Sequence, residues 1–271
     1  MHIDNRLQAV AALVPQGARL ADIGTDHAYL PVWLWEQGRI AQAVAGDIAA
    51  GPCRAARTTI AMYGASKAIE VRQGSGLAVL KPGEVDCIAI CGMGGSTIIS
   101  ILEADMETAR TAQCLILQPM AGAAGLRRWL VQQGWSIVAE DLVDDEPHFY
   151  EIICAERSNT GKDIVSVLDG AGSEAALART GTETVDSELT IAGELDSARV
   201  ESAGYSDVEY LLGPTLVRAG HPLLAKQIAR QAASLEELLT NMARSERAKA
   251  SAKYQEAARL LAELQRLRAE R

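Results

Sequence analysis

The sequence contains no apolar run of about 18 residues, the length a helix needs to cross a bilayer core, so no transmembrane helix and no membrane partner are expected. Its first residues, Met1-His2-Ile3-Asp4-Asn5-Arg6, lack a basic stretch followed by an apolar one. No signal peptide is therefore expected, and the compartment that fits is the cytoplasm. The five cysteines (Cys53, Cys87, Cys91, Cys114 and Cys154) include no C-x-x-C pair, and three of them sit in apolar, strand-like runs. That usage fits reduced, buried thiols better than disulfides or a metal centre, and no metal is expected. A G-x-G-x-x-G fingerprint is missing as well: Gly24 is followed by Thr25-Asp26-His27, which gives a pyrophosphate no second glycine to approach.

Hydrophobic residues make up 48% of the 271 positions, enough for a sizeable core in one large domain or two modest ones. The net charge of -9 argues at first against a nucleic-acid partner, but the charge is unevenly placed. Residues 162–210 hold eleven acids and three bases, whereas residues 221–271 hold ten bases and six acids. The acidity is concentrated in one segment, and the end of the chain is basic.

Hydrophobic periodicity alternates between strand and helix along the first 156 residues. A helix is expected over 3–13, broken by Pro15-Gln16-Gly17, and strands over 18–23, 41–47, 68–72, 85–90 and 114–117. Helices are expected over 28–37, 50–63, 96–109 and 123–133. Two further strands, 135–143 and 149–155, flank Asp144-Asp145-Glu146-Pro147 and read as an antiparallel pair. Such alternation implies an α/β fold: a mostly parallel sheet with helices on both faces, closed by an antiparallel hairpin. Residues 157–205, rich in Gly, Ser, Thr and acids, are expected to form a flexible or loosely folded insertion. From about 206 to 271, leucines at helical spacing suggest two long helices paired as an antiparallel coiled-coil hairpin.

The stretch Leu20-Ala21-Asp22-Ile23-Gly24-Thr25-Asp26-His27-Ala28-Tyr29-Leu30-Pro31 organises the rest. It reads as a strand end, a glycine turn and a helix start, the place where open parallel sheets bind ligands. Strand two ends in Gly46-Asp47, and an acid there can accept hydrogen bonds from ribose hydroxyls; capping of the next helix is the other reading of Asp47. Gln73-Gly74-Ser75 and Gly92-Met93-Gly94 end the next two strands, where glycines let backbone approach a ligand closely. A ligand with a ribose and no diphosphate fits, and S-adenosylmethionine is such a ligand.

Six stretches together, DIGTDHAYLP (22–31), GDI (46–48), GMGG (92–95), LILQP (115–119), HFYEI (148–152) and LLGP (211–214), resemble the TrmK family. These are bacterial tRNA methyltransferases acting on N1 of the adenine at position 22. The resemblance implies a class I, Rossmann-like methyltransferase fold, S-adenosyl-L-methionine as cofactor, and a C-terminal coiled-coil domain for tRNA. It covers residues 1–156 well and the basic tail more loosely. Two positions depart from the family pattern: Ser75 stands where an aspartate is usual, and Met120 where an asparagine is usual. The candidate cofactor-binding residues are then Asp22, Gly24, His27, Asp47, Ile48, Gly74, Ser75, Gly92, Met93 and Gly94. Asp26 is the candidate for stabilising the cationic methylated base, with Tyr29 beside it; packing under the first helix is the alternative for Tyr29. Gln118 and Pro119 are placed to line the target-base side, and Arg6 to meet a phosphate. Arg244, Arg247 and Lys249 are candidates for the tRNA backbone, against the alternative of a solvated helix face. A small-molecule methyltransferase with an oligomerisation tail and a non-catalytic cofactor- or RNA-binding module remain as rival readings.

Overall fold

The computed structural model describes residues 1–157 and 204–270. The expected insertion at 157–205 lies outside the described residues except at its ends.

A seven-stranded sheet forms the body, built from β1 (Arg19–Ile23), β2 (Gln42–Asp47), β3 (Ile69–Gln73), β4 (Cys87–Gly94), β5 (Cys114–Ala121), β6 (Trp135–Asp145) and β7 (His148–Arg157). The strand order is β3-β2-β1-β4-β5-β7-β6. The first five strands run parallel, and β7 joins β5 antiparallel with β6 at the edge. The chain winds outward from β1 to β3, then returns to start again at β4 on the other side of β1. This reversal puts the crevice of a doubly wound sheet between the C-terminal ends of β1 and β4.

Helices α1 (Asn5–Leu13), α2 (Tyr29–Glu36) and α3 (Ala50–Met62) cover one face, and α4 (Gly95–Ala104), α5 (Met106–Thr111) and α6 (Ala123–Gln132) cover the other. Alternation along the strands feeds both layers. Leu20, Ala43, Cys87, Cys114 and Ile116 point to the α1–α3 side, and Ala21, Val44, Ile88, Leu115 and Leu117 to the α4–α6 side. Burial on both faces explains why the central strands read as unbroken apolar runs. Each fully buried Leu or Ile contributes about 1.5–3 kcal/mol.

Several boundaries differ from expectation. The helix expected over 96–109 is two helices, because Asp105 leaves helical geometry (φ -149°) and its carboxylate accepts the Thr108 N–H at 3.0 Å, capping α5. A 3-10 turn at Gly76–Val79 was not expected. β4 and β5 run on to Gly94 and Ala121, with the β4–β5 register slipping at Met93.

After residue 204 come α7 (Asp207–Leu212), α8 (Pro214–Ala219), α9 (Leu224–Met242), α10 (Glu246–Lys249) and α11 (Ala252–Ala269). Ser206 and Glu209 form a reciprocal capping box at α7. Val208, Leu212, Leu224, Ile228, Ala232 and Leu264 make a small core of their own, so the two expected long helices are α9 and α11, joined through short α10.

These helices are fastened to the sheet by charge. Fully buried Arg127 of α6 donates to Glu140 at 2.6 Å and Glu151 at 2.7 Å, and to the Tyr210 carbonyl at 3.1 Å. Glu140 also accepts from the N–H and hydroxyl of Thr215 at 2.9 and 2.8 Å. Asp207 bridges Arg128 and Arg259. Arg259, one of the ten bases of the basic tail, is thus engaged in an ion pair.

Candidate active site

The glycine turn after β1 is built by backbone. Both the Gly24 and Thr25 N–H groups donate to the Gly46 carbonyl, at 2.8 and 3.1 Å, tying the ends of β1 and β2 together. Gly24 has φ 78°, and a Cβ placed there would collide with the Met93 Cε. Met93 therefore lies across Gly24, bringing the ends of β1 and β4 into contact. Beyond the turn, Asp26 (φ 49°) and Ala28 (φ 58°) are both left-handed, a conformation that costs an L-residue about 1–2 kcal/mol. Strain at two positions within three residues is the kind that clusters at ligand sites.

Asp22 is buried, and the Thr25 hydroxyl donates to it at 2.5 Å. Burial pushes its pKa up to about 6, against the opposing effects of the Thr25 hydrogen bond and the Arg6 charge; the Asp47 charge adds to the rise. Asp26 is exposed, with its carboxylate 3.6 Å from His27 Nε2. His27 and Tyr29 stack with ring centroids 5.1 Å apart and planes 11° from parallel. Tyr29 is 43% exposed, so it does not pack beneath the first helix.

Asp47 Oδ1 accepts the Ala49 N–H at 2.8 Å, so a capping role is realised at one oxygen. Oδ2 has no hydrogen-bond partner among the described residues and remains free to accept. Ile48 beside it is 68% exposed. Its carbonyl accepts from Gln73 at 3.3 Å, and the Asp47 carbonyl accepts the Gly74 N–H at 3.0 Å, which draws the end of β3 towards β2. Ser75 is exposed. Gly92, with φ 76°, and Gly94 lead into α4. Gly95 must lack a side chain, since a Cβ there would sit 2.7 Å from the Gly122 carbonyl oxygen.

On the other side of the crevice the outcome is mixed. Gln118 and Pro119 are buried, and Met120 is 52% exposed. Arg6 does reach the site, but its Nη1 donates to Gln118 Oε1 at 3.0 Å and its guanidinium lies 5.7 Å from the Tyr150 ring centre. Arg244, Arg247 and Lys249 lie around the turn between α9 and α11, and Lys249 pairs with Glu246 at 3.0 Å. They do not touch the crevice residues among those described.

Sequence reasoning missed Thr25, Tyr150 and Arg127. A hydroxyl three residues after a buried acid was a readable signal for Thr25. A separate groove lined by Arg19, Lys67, Glu70, Arg72 and Glu84 opens at the amino-terminal ends of β1–β3, the opposite end of the sheet. Arg72 is satisfied there by Glu84 and Glu70, at 2.7 and 2.6 Å.

A ribose-sized acceptor beside exposed Ile48, close glycine backbone from two strand ends and no second glycine for a pyrophosphate fit a nucleoside-bearing cofactor. Fold and crevice together define a class I methyltransferase, and residues 3–153 match the model of the methyltransferase domain family. The tRNA (adenine(22)-N(1))-methyltransferase of Bacillus subtilis is 40% identical over 159 residues, 59% of this chain and 67% of that protein. The chain belongs to this tRNA methyltransferase family. The crystal structure of the B. subtilis m1A22 tRNA methyltransferase TrmK superposes with a TM-score of 0.74 at 28% identity, over 98% of this chain and 99% of that one. A Streptococcus pneumoniae protein solved in complex with S-adenosyl-L-methionine gives a TM-score of 0.72 at 28% identity, over 98% and 100%.

Proposed function

We propose that the protein transfers a methyl group from S-adenosyl-L-methionine to N1 of adenine 22 in tRNA. The observation that carries this reading is the crevice: the Gly24 turn and buried Asp22 stand at the switch point of a methyltransferase sheet, and Asp47, with a free carboxylate oxygen, ends the neighbouring β2. The residues that would hold the cofactor are Asp47 and Ile48 at the ribose and adenine, Gly74 and Ser75 at the adenine edge, and Asp22, Gly24, His27, Gly92, Met93 and Gly94 around the amino-acid portion. The cofactor supplies an electrophilic methyl group.

Adenine N1 carries a lone pair, so the chain has no proton to remove before transfer. Its work is positioning, which in model reactions supplies up to about 7–11 kcal/mol, and stabilisation of the positive charge that develops on the base. Asp26 suits the second task because its exposed carboxylate lies just past the cofactor turn on a strained backbone. The stacked His27–Tyr29 pair offers an aromatic face to a base brought out of its stack. Residues 1–156 are the catalytic domain in this reading, and the helices from 206 to 271 meet tRNA. Arg244, Arg247 and Lys249 contact its phosphates, which orient the RNA without reading sequence. Such an enzyme works in the cytoplasm; no helix among the described residues is long and apolar enough to cross a membrane.

The test is incubation with methyl-labelled S-adenosyl-L-methionine and unmodified tRNA, followed by nucleoside analysis. Label in 1-methyladenosine is expected. Cofactor binding by calorimetry with no label in tRNA would leave a binding module or a small-molecule enzyme instead.

A further inference from the structure

Gln118 occupies β5 opposite Cys91 of β4, and just beyond that pair the β4–β5 register slips. Gly92 turns there into a left-handed conformation (φ 76°). A bulge leaves a strand N–H without its ladder partner. Gln118 supplies the missing acceptor: its Oε1 takes the Gly92 N–H at 3.1 Å and Arg6 Nη1 at 3.0 Å. Two donors converging on one atom fix the amide's orientation, because only its oxygen can accept them. The amide nitrogen then donates to the Pro119 carbonyl at 3.2 Å and approaches Met120 Sδ at 3.6 Å. The side chain is wholly buried.

Three parts of the crevice therefore meet on one amide. They are the glycine loop that ends β4, the first turn of α1 through Arg6, and exposed Met120 at the end of β5. Arg6 is steadied further by Asp4 at 3.6 Å and by the Tyr150 ring.

We infer that Gln118 is a positioning residue: it holds the Gly92 loop and Arg6 in the arrangement in which methyl donor and target base meet, and touches neither. This rests on the methyltransferase reading above. It differs from a base-contacting role, which an exposed amide would have.

The test compares full-length Gln118→Leu, Gln118→Glu, Arg6→Gln and the Arg6→Gln/Gln118→Leu double variant with the wild type. Leucine keeps most of the volume but removes the acceptor shared by the Gly92 N–H and Arg6, which frees the loop and the guanidinium from each other; kcat is expected to fall about 10–100-fold. KM for tRNA should stay within about twofold. Glutamate keeps an acceptor for both donors but turns its second oxygen, also an acceptor, towards the Pro119 carbonyl, so kcat should fall less than in Gln118→Leu. Arg6→Gln should give a partial loss, and the double variant should be no worse than Gln118→Leu alone, the non-additivity expected of one network. A Gln118→Leu enzyme with wild-type kcat, or with its loss confined to KM for tRNA, overturns the proposal. Should thermal melting show Gln118→Leu unfolded, Arg6→Gln decides: unchanged kcat overturns the proposal, and a lowered kcat at unchanged KM supports it. Failure of the wild type to bind S-adenosyl-L-methionine by calorimetry would instead refute the methyltransferase reading.

Discussion

Asp22 sets stability against ligand binding. The residue is 6% exposed, and burial is the main cause that pushes its pKa up to about 6 from an ordinary 3.8. That gap corresponds to about 3 kcal/mol disfavouring the ionised folded protein. The folded value lies above the unfolded one, so the folded state holds the proton more tightly. The penalty is absent below about pH 4, grows between pH 4 and 6, and is complete above 6. Asp22→Asn keeps the volume and an acceptor for the Thr25 hydroxyl while removing the charge. Urea unfolding without ligand should show the variant about 1–3 kcal/mol more stable at pH 7.5, with about half that gain at pH 5. Calorimetry should show S-adenosyl-L-methionine, which carries an ammonium and a sulfonium, bound about 10–150-fold more weakly, the worth of a charged hydrogen bond. In the wild type, affinity should rise with pH through 6, and in the variant this dependence should vanish. A variant destabilised equally at both pH values, or binding cofactor as tightly as wild type, would refute the reasoning.

Asp47→Ala should weaken cofactor binding by about 1.5–3 kcal/mol by calorimetry, with a smaller cost in stability from removal of the Ala49 cap. Asp26→Asn should lower kcat far more than it raises KM for tRNA in steady-state assays. Arg127→Met should cost about 3–5 kcal/mol in thermal or urea unfolding, because Glu140 and Glu151 would remain as carboxylates without their cation. Replacing Arg244, Arg247 and Lys249 together by glutamate should weaken tRNA binding and flatten its salt dependence, measured as log Kd against log salt, by about 0.7–0.9 for each phosphate no longer neutralised.

The sheet, the sequence of its strands and the parallel run of the first five were legible because apolar runs bounded by glycine turns have few other solutions. The glycine turn after β1 and the position of Asp47 at the end of β2 were legible for the same reason: strand ends in such a sheet have a known side. What escaped depends on partners distant in sequence. Arg127 reads as a surface residue until Glu140, Glu151 and the Tyr210 carbonyl close around it from 13, 24 and 83 residues away. Gln118 reads as a residue lining the crevice mouth, since nothing in its neighbourhood announces the β4 bulge that draws its amide inward. The break at Asp105 was readable in principle, because Asp105 precedes Thr108 at capping distance, but the apolar rhythm of residues 98–109 hid it.

Position-specific modification tests the central claim most directly. Unmodified tRNA carrying adenine at position 22 and the same tRNA with guanine there are incubated with the full-length protein and S-adenosyl-L-methionine, and modified sites are mapped by primer extension. The account predicts a single new stop, one nucleotide before adenine 22, present in the first tRNA and absent from the second. Equal stops in both, or a stop elsewhere in the molecule, would contradict it.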